Sequence, residues 1–172
     1  MDEYVKLARN SLETYIRTGQ IISLPADIPS EMKEKKAGVF VSLHKKSSRE
    51  LRGCIGTFLP TKKNVAHEII SNAVSAAVDD PRFNPLTPKE LTDLEINVDV
   101  LSEPEKIESQ KELNPKIYGV IVKSADGRAG LLLPDIEGVR TVNDQISIAC
   151  QKAGISSQEK ISLYRFTVSR HK

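Results

Sequence analysis

Residues 37–44 alternate with a period of two, Val39, Val41 and Leu43 on one parity and Phe40, Ser42 and His44 on the other. No other feature narrows the fold as much, because that period belongs to a half-buried strand and to no helix. Lys45–Arg49 is polar and turn-like, and Glu50–Phe58 reads as the returning strand of a hairpin. Placing Leu51 and Ile55 on the core face with Val39, Val41 and Leu43 fixes a register. Val41 should pair with Ile55, Ser42 with Cys54 and His44 with Arg52, closed by a turn at Ser47–Arg49. In that register one face presents Ser42, His44, Arg52 and Cys54 together.

The remaining segments extend the pattern. Val5, Ala8, Leu12, Tyr15 and Ile16 recur at helical spacing between Asp2 and Thr18, and Gly19 follows as a stop. Asn64–Val78 carries the clearest apolar stripe, Val65, Ile69, Ala73, Val74 and Ala77. Pro81 and Pro85 then forbid helix. Thr87-Pro88-Lys89-Glu90 reads as a capping box that opens a short helix. Ile96, Val98 and Val100 alternate with Glu95, Asn97 and Asp99 in a further strand. Ile117–Lys123 and Arg128–Leu133 flank an Asp126-Gly127 turn, a second hairpin. Thr141 and Asp144 cap a helix that runs to Ala153, before a last strand, Ile161–Val168. Hairpins mixed with helices predict an α+β fold with a largely antiparallel sheet flanked by helices. One domain over 1–172 is expected, with residues 104–115 as the candidate seam between two lobes.

Composition excludes several classes. With 39% hydrophobic and 28% charged residues the chain is of ordinary globular type, and no apolar run is long enough to span a bilayer. A net charge of +2, dispersed basic residues and only four tyrosines and four phenylalanines disfavour strong nucleic-acid binding. The start, Met1-Asp2-Glu3-Tyr4, lacks the basic and apolar stretches of a signal peptide. Two cysteines in unlike contexts make no disulfide framework, so a cytoplasmic location is expected. No Cys/His spacing fits a metal, no phosphate loop or nucleophile elbow is present, and the sequence assigns no cofactor.

Chemistry is expected at Arg52-Gly53-Cys54-Ile55-Gly56. Glycines inside a strand mark a bulge or a close approach of ligand or backbone. A nearby cation favours thiolate, and a cysteine beside a histidine is one recipe for a nucleophile, so Cys54, His44 and Arg52 are the catalytic candidates. Against this, cysteine commonly packs as a small apolar residue, and a noncovalent ligand site is the competing reading. Asp80 and Arg82, held by Pro81, are ligand-binding candidates or parts of a rigid turn that plugs Phe83 into the core. Asn97 and Asp99 either line a pocket or face water. Cys150 lies on an apolar helix stripe and should be core. His67 reads as solvated or internally satisfied, and His171 carries no signal.

These residues carry a resemblance. Leu51-Arg52-Gly53-Cys54-Ile55-Gly56-Thr57, Asp80-Pro81-Arg82-Phe83 with Pro85-Leu86, Val98–Glu105 and Gly130-Leu131-Leu132-Leu133-Pro134 resemble, in order, four blocks of the AMMECR family. Tyr118–Val122 and Leu133–Val139 are similar to its branch called AmmeMemoRadiSam system protein A. The resemblance implies an α+β fold with two lobes, a cleft near the signature, and association with a Memo-family protein and a radical SAM enzyme. Gly53, Ile55, Gly56, Asp80, Arg82, Asn97 and Asp99 are the ligand-binding candidates around that cleft. Many family members have a tryptophan between the last helix and the last strand; this chain has none.

Two functions compete. One is an enzyme or enzyme subunit acting on a nucleotide or other small molecule at the signature. The other is a noncatalytic adaptor that binds a protein partner or nucleic acid. A concave polar cleft at the signature would favour the first and a flat surface the second.

Overall fold

The computed structural model describes residues 2–172, which form two compact units, 2–100 with Ser169–Lys172, and Leu101–Val168. The second unit begins at Leu101, a few residues ahead of the proline-flanked 104–115 segment.

The first unit is built on the four-stranded sheet β2-β1-β3-β8: β1 Val39–Lys45, β2 Leu51–Thr57, β3 Leu94–Leu101 and β8 Val168–His171. Strand β1 pairs antiparallel with both β2 and β3. One face, formed by Val39, Val41, Leu43, Ile96, Val98 and Val100, is wholly buried beneath α1 (Glu3–Thr18) and α3 (Val65–Val78). Helix α1 starts where the Asp2 carboxylate accepts from the Tyr4 and Val5 amides, and stops at Gly19 in the left-handed region. Helix α3 starts on the Asn64 side chain. The alanines of α3 let it lie close to the sheet: a Cβ on Gly53 would collide with the carbonyl oxygen of Ala76. A short α2 (Ser30–Glu34) buries Met32 in the same core, an element too short for periodicity to reveal.

The second unit holds the sheet β4-β7-β5-β6: β4 Glu105–Ile107, β5 Gly119–Ser124, β6 Ala129–Leu132 and β7 Ile161–Phe166. Helix α4 (Val142–Ala153) packs on β5 and β6, capped by Thr141 and closed by left-handed Gly154. Its core holds Val120, Val122, Leu132, Ala149 and Cys150. The chain is therefore α+β with two antiparallel sheets flanked by helices. The single final strand read over 161–168 is two strands, β7 and β8, which lie in different sheets. No helix of the described residues is long and apolar enough to cross a membrane.

Candidate functional site

The hairpin register holds for half its length and then departs. Val41 lies opposite Ile55, Ser42 opposite Cys54 and Leu43 opposite Gly53, but His44 lies opposite Leu51. Arg52 is the extra residue of a bulge and has no partner on β1. The expected pairing of His44 with Arg52 is therefore corrected, and so is the turn. It is longer by one residue, with the Lys45 amide donating to the Glu50 carbonyl and Arg49 in the left-handed region. The hairpin tip is tied down by Asp93, whose carboxylate accepts from the Ser47 amide and hydroxyl. A bulge breaks the two-residue alternation and re-aims a side chain. Arg52 reaches Glu90, Nε to Oε1 at 2.8 Å and Nη2 to Oε2 at 3.3 Å, and lies 5.9 Å from the centre of the Phe83 ring.

Of the three catalytic candidates, the register changes only how Arg52 is placed, at the bulge and without a partner on β1. Cys54 shares its sheet face with Ser42 and with Asn97, because Ser42 pairs with both strands. His44, two residues further along β1, lies on that same face. On the polar face the His44 Nδ1 and Asn97 Oδ1 atoms are buried and have no hydrogen-bond partner among the described residues. Asp99 neither faces water nor stands open for a ligand: it is buried in a two-pronged pair with Arg170 of β8, at 2.8 and 3.0 Å. Gly53 and Gly56 are closely packed on the side where a Cβ would stand. The first abuts the α3 backbone, and a side chain on the second would strike the Phe40 ring. Ile55 packs against the core.

Asp80 and Arg82 grip β2 along its outer edge. Asp80, its side chain only 2% exposed, accepts from the Cys54 amide at 2.9 Å and from the Arg82 amide, Nε and Nη2. Arg82 Nη2 donates in turn to the Cys54 carbonyl at 3.4 Å. The loop after α3 thereby satisfies the outward backbone groups of an edge strand, which would otherwise be open to pairing with another chain. The hydrogen bonds from Arg82 hold the Asp80 carboxyl well below the usual carboxylate range, and Asp80 raises Arg82. Arg52 lowers Glu90 in the same way.

Between these pairs opens a cleft of about 540 Å³, lined by Lys45, Glu50, Leu51, Arg52, Arg82, Phe83 and Asn84. Phe83 does not plug the core. Its ring stands between two guanidiniums, 5.9 Å from Arg52 and 5.5 Å from Arg82. Arg52 Nη1 is buried with no partner among the described residues. Sequence reasoning missed Glu90 as a site residue. It was read as a cap, and it does cap Thr87, but its carboxylate also orients Arg52. No group of His, Cys, Asp and Glu among the described residues is placed to hold a metal ion.

Fold and site together define an α+β protein with a polar, arginine-lined cleft at the edge of a bulged hairpin. The chain belongs to the AMMECR1 family, whose model matches residues 5–171. A protein of Thermotoga maritima is 52% identical over 170 residues, which cover 98% of this chain and 97% of that one. Protein CA_C1420 of Clostridium acetobutylicum is 50% identical over 172 residues, 99% of this chain but only 36% of its own length. The crystal structure of the uncharacterized protein PH0010 from Pyrococcus horikoshii has the same fold, with a TM-score of 0.89 at 35% identity, covering 97% of this chain and 88% of that one.

Proposed function

We propose that the protein is an enzyme, or the ligand-binding subunit of one, that holds an anionic small molecule such as a nucleotide in the cleft between Arg52, Arg82 and Phe83. The observation that carries this reading is a cleft lined by two guanidiniums, Arg52 and Arg82, the first of which keeps a buried Nη1 without a partner among the described residues. A buried cationic donor with no acceptor is costly and calls for an explanation, which an anion bound by the fork would supply. Glu90 and Asp80 do not cancel the site. Each guanidinium has five N–H donors, and its carboxylate occupies only some of them while fixing the fork in place. The cleft volume lies in the ordinary range for small-molecule sites.

The finer likeness to the AmmeMemoRadiSam system protein A branch belongs to this reading. So do the partners it implies, a Memo-family protein and a radical SAM enzyme, and a cytoplasmic setting. What supports a partner is CA_C1420, where a region half identical to this chain occupies 36% of a longer polypeptide. Calorimetric titration with ADP and with inorganic pyrophosphate tests the site. Saturable binding weakened about tenfold or more by Arg82→Ala is expected, from the loss of a charge-assisted pair. Absence of binding, or binding indifferent to that change, would refute the reading and leave the adaptor.

A nucleophilic Cys54 is a separate reading, favoured by His44 on the same sheet face. Faster iodoacetamide labelling of Cys54 than of Cys150, slowed by His44→Ala, would support it. Equal resistance of both thiols would dismiss it.

A further inference from the structure

We propose that the second unit carries a binding groove of its own, for an uncharged, flat heterocyclic molecule of nucleoside type. The groove runs beside α4 and encloses about 590 Å³, enough for such a ligand. Its floor is apolar: Ile146 and Cys150 of α4, Ile155 just beyond the helix, and Ile161 of β7. It lies beside α4 because that helix packs chiefly on β6 and β5 rather than on β7. Gly130 of β6 lets the helix come that close, since a side chain there would meet the Ala149 carbonyl oxygen.

The rim chooses the ligand. Asn143, Ser147 and Gln151 stand one helical turn apart along α4, all exposed and all lining the groove. Gln110 and two serines face them from outside the helix. These groups are amides and hydroxyls, which donate and accept at once and suit the edges of a nucleobase or nicotinamide-like ring. No lysine or arginine is among the described residues that line the groove, and the nearby Arg128 is already paired with Glu159, so a phosphate would find no free cation at its wall. The one ionised side chain there, Glu159, is already engaged by Arg128 and by the Ser156 amide. Burial raises the Cys150 thiol, with Glu159 adding to the rise, so the floor stays neutral as well. An open-chain sugar would bury its hydroxyls against three isoleucines, and a lipid chain would leave the amides unused.

The test is equilibrium titration of the full chain with adenosine and with AMP, on the wild type, Ser147→Trp, Gln151→Trp and Arg82→Ala. Both tryptophan substitutions fall on exposed helix positions and fill the groove, so the thermal midpoint should barely move. Saturable adenosine binding is expected, weakened about tenfold or more in both tryptophan variants and unchanged in Arg82→Ala. AMP should bind this groove at least about threefold more weakly than adenosine, as the phosphate finds no cation and meets Glu159. Adenosine that fails to saturate, or that ignores both tryptophans, overturns the proposal. So does an AMP affinity exceeding that of adenosine and surviving Arg82→Ala. Because the arginine cleft is read with Arg82→Ala and pyrophosphate, either site can fail without the other.

Discussion

Gly53 shows how one residue can be read correctly for its kind and wrongly for its cause. A glycine in a strand signals close approach. The approaching group is not a ligand but the carbonyl of Ala76, on the helix that covers the sheet. Gly53→Ala must therefore push α3 away from β2 or bend the strand. We expect a loss of about 2–4 kcal/mol, at the high end of overpacking costs, read as a fall in the urea midpoint. A change under about 0.5 kcal/mol, the size of an ordinary surface substitution, would show that the helix is not seated as described. Arg52 teaches the converse. Its type and position marked it for function, and the side chain does line a cleft, but from a bulge, out of the expected pairing with His44. Nothing in the residue itself announces the bulge. It arises where the pinned hairpin tip and the core face demand registers that differ by one.

At the scale of elements, the loop after α3 is what completes strand β2. Pro81 and Pro85 stop the helix, so Asp80 and Arg82 lie along the strand edge instead of continuing the turn. Asp80→Ala leaves the Cys54 amide without its acceptor and frees Arg82. About 2–3 kcal/mol of stability should be lost, the usual effect of removing a charged partner from buried donors. Amide hydrogen exchange at Cys54 should quicken more than that at Val41, which sits in the middle of the sheet; equal protection would show that Asp80 does not hold the edge. The capping boxes at Thr87 and Thr141 were legible because they are local, as was the Asp-Gly hairpin. Helix α2 and strand β4 were not, being five and three residues long and stabilised by what they pack or pair with rather than by periodicity.

For the whole molecule, the carboxylates that grip arginines set the response to acid. Asp80 and Glu90 both titrate below their ordinary values, chiefly through hydrogen bonds from Arg82 and Arg52. A carboxyl lowered in the folded state binds its proton more readily when the chain is unfolded, so stability is lost as pH falls. The contribution is complete above about pH 5 and declines below about pH 4, where unfolded carboxyls protonate. Denaturant melts from pH 6 to pH 3 should show this decline, and Asp80→Asn should flatten it while lowering stability at pH 6. An unchanged slope in that variant would refute the assignment. What the sequence determined by itself about this protein is its local content: most helix and strand positions, the caps, the family and the pairing of Ser42 with Cys54. Those follow from periodicity and from contacts between near neighbours. Only the tertiary structure decided the bulge at Arg52, the grip of Asp80 on the strand edge, the pairing of Asp99 with Arg170 and the two grooves. Each depends on where distant segments meet, and a one-residue register choice is made by the sum of those meetings rather than by any segment alone.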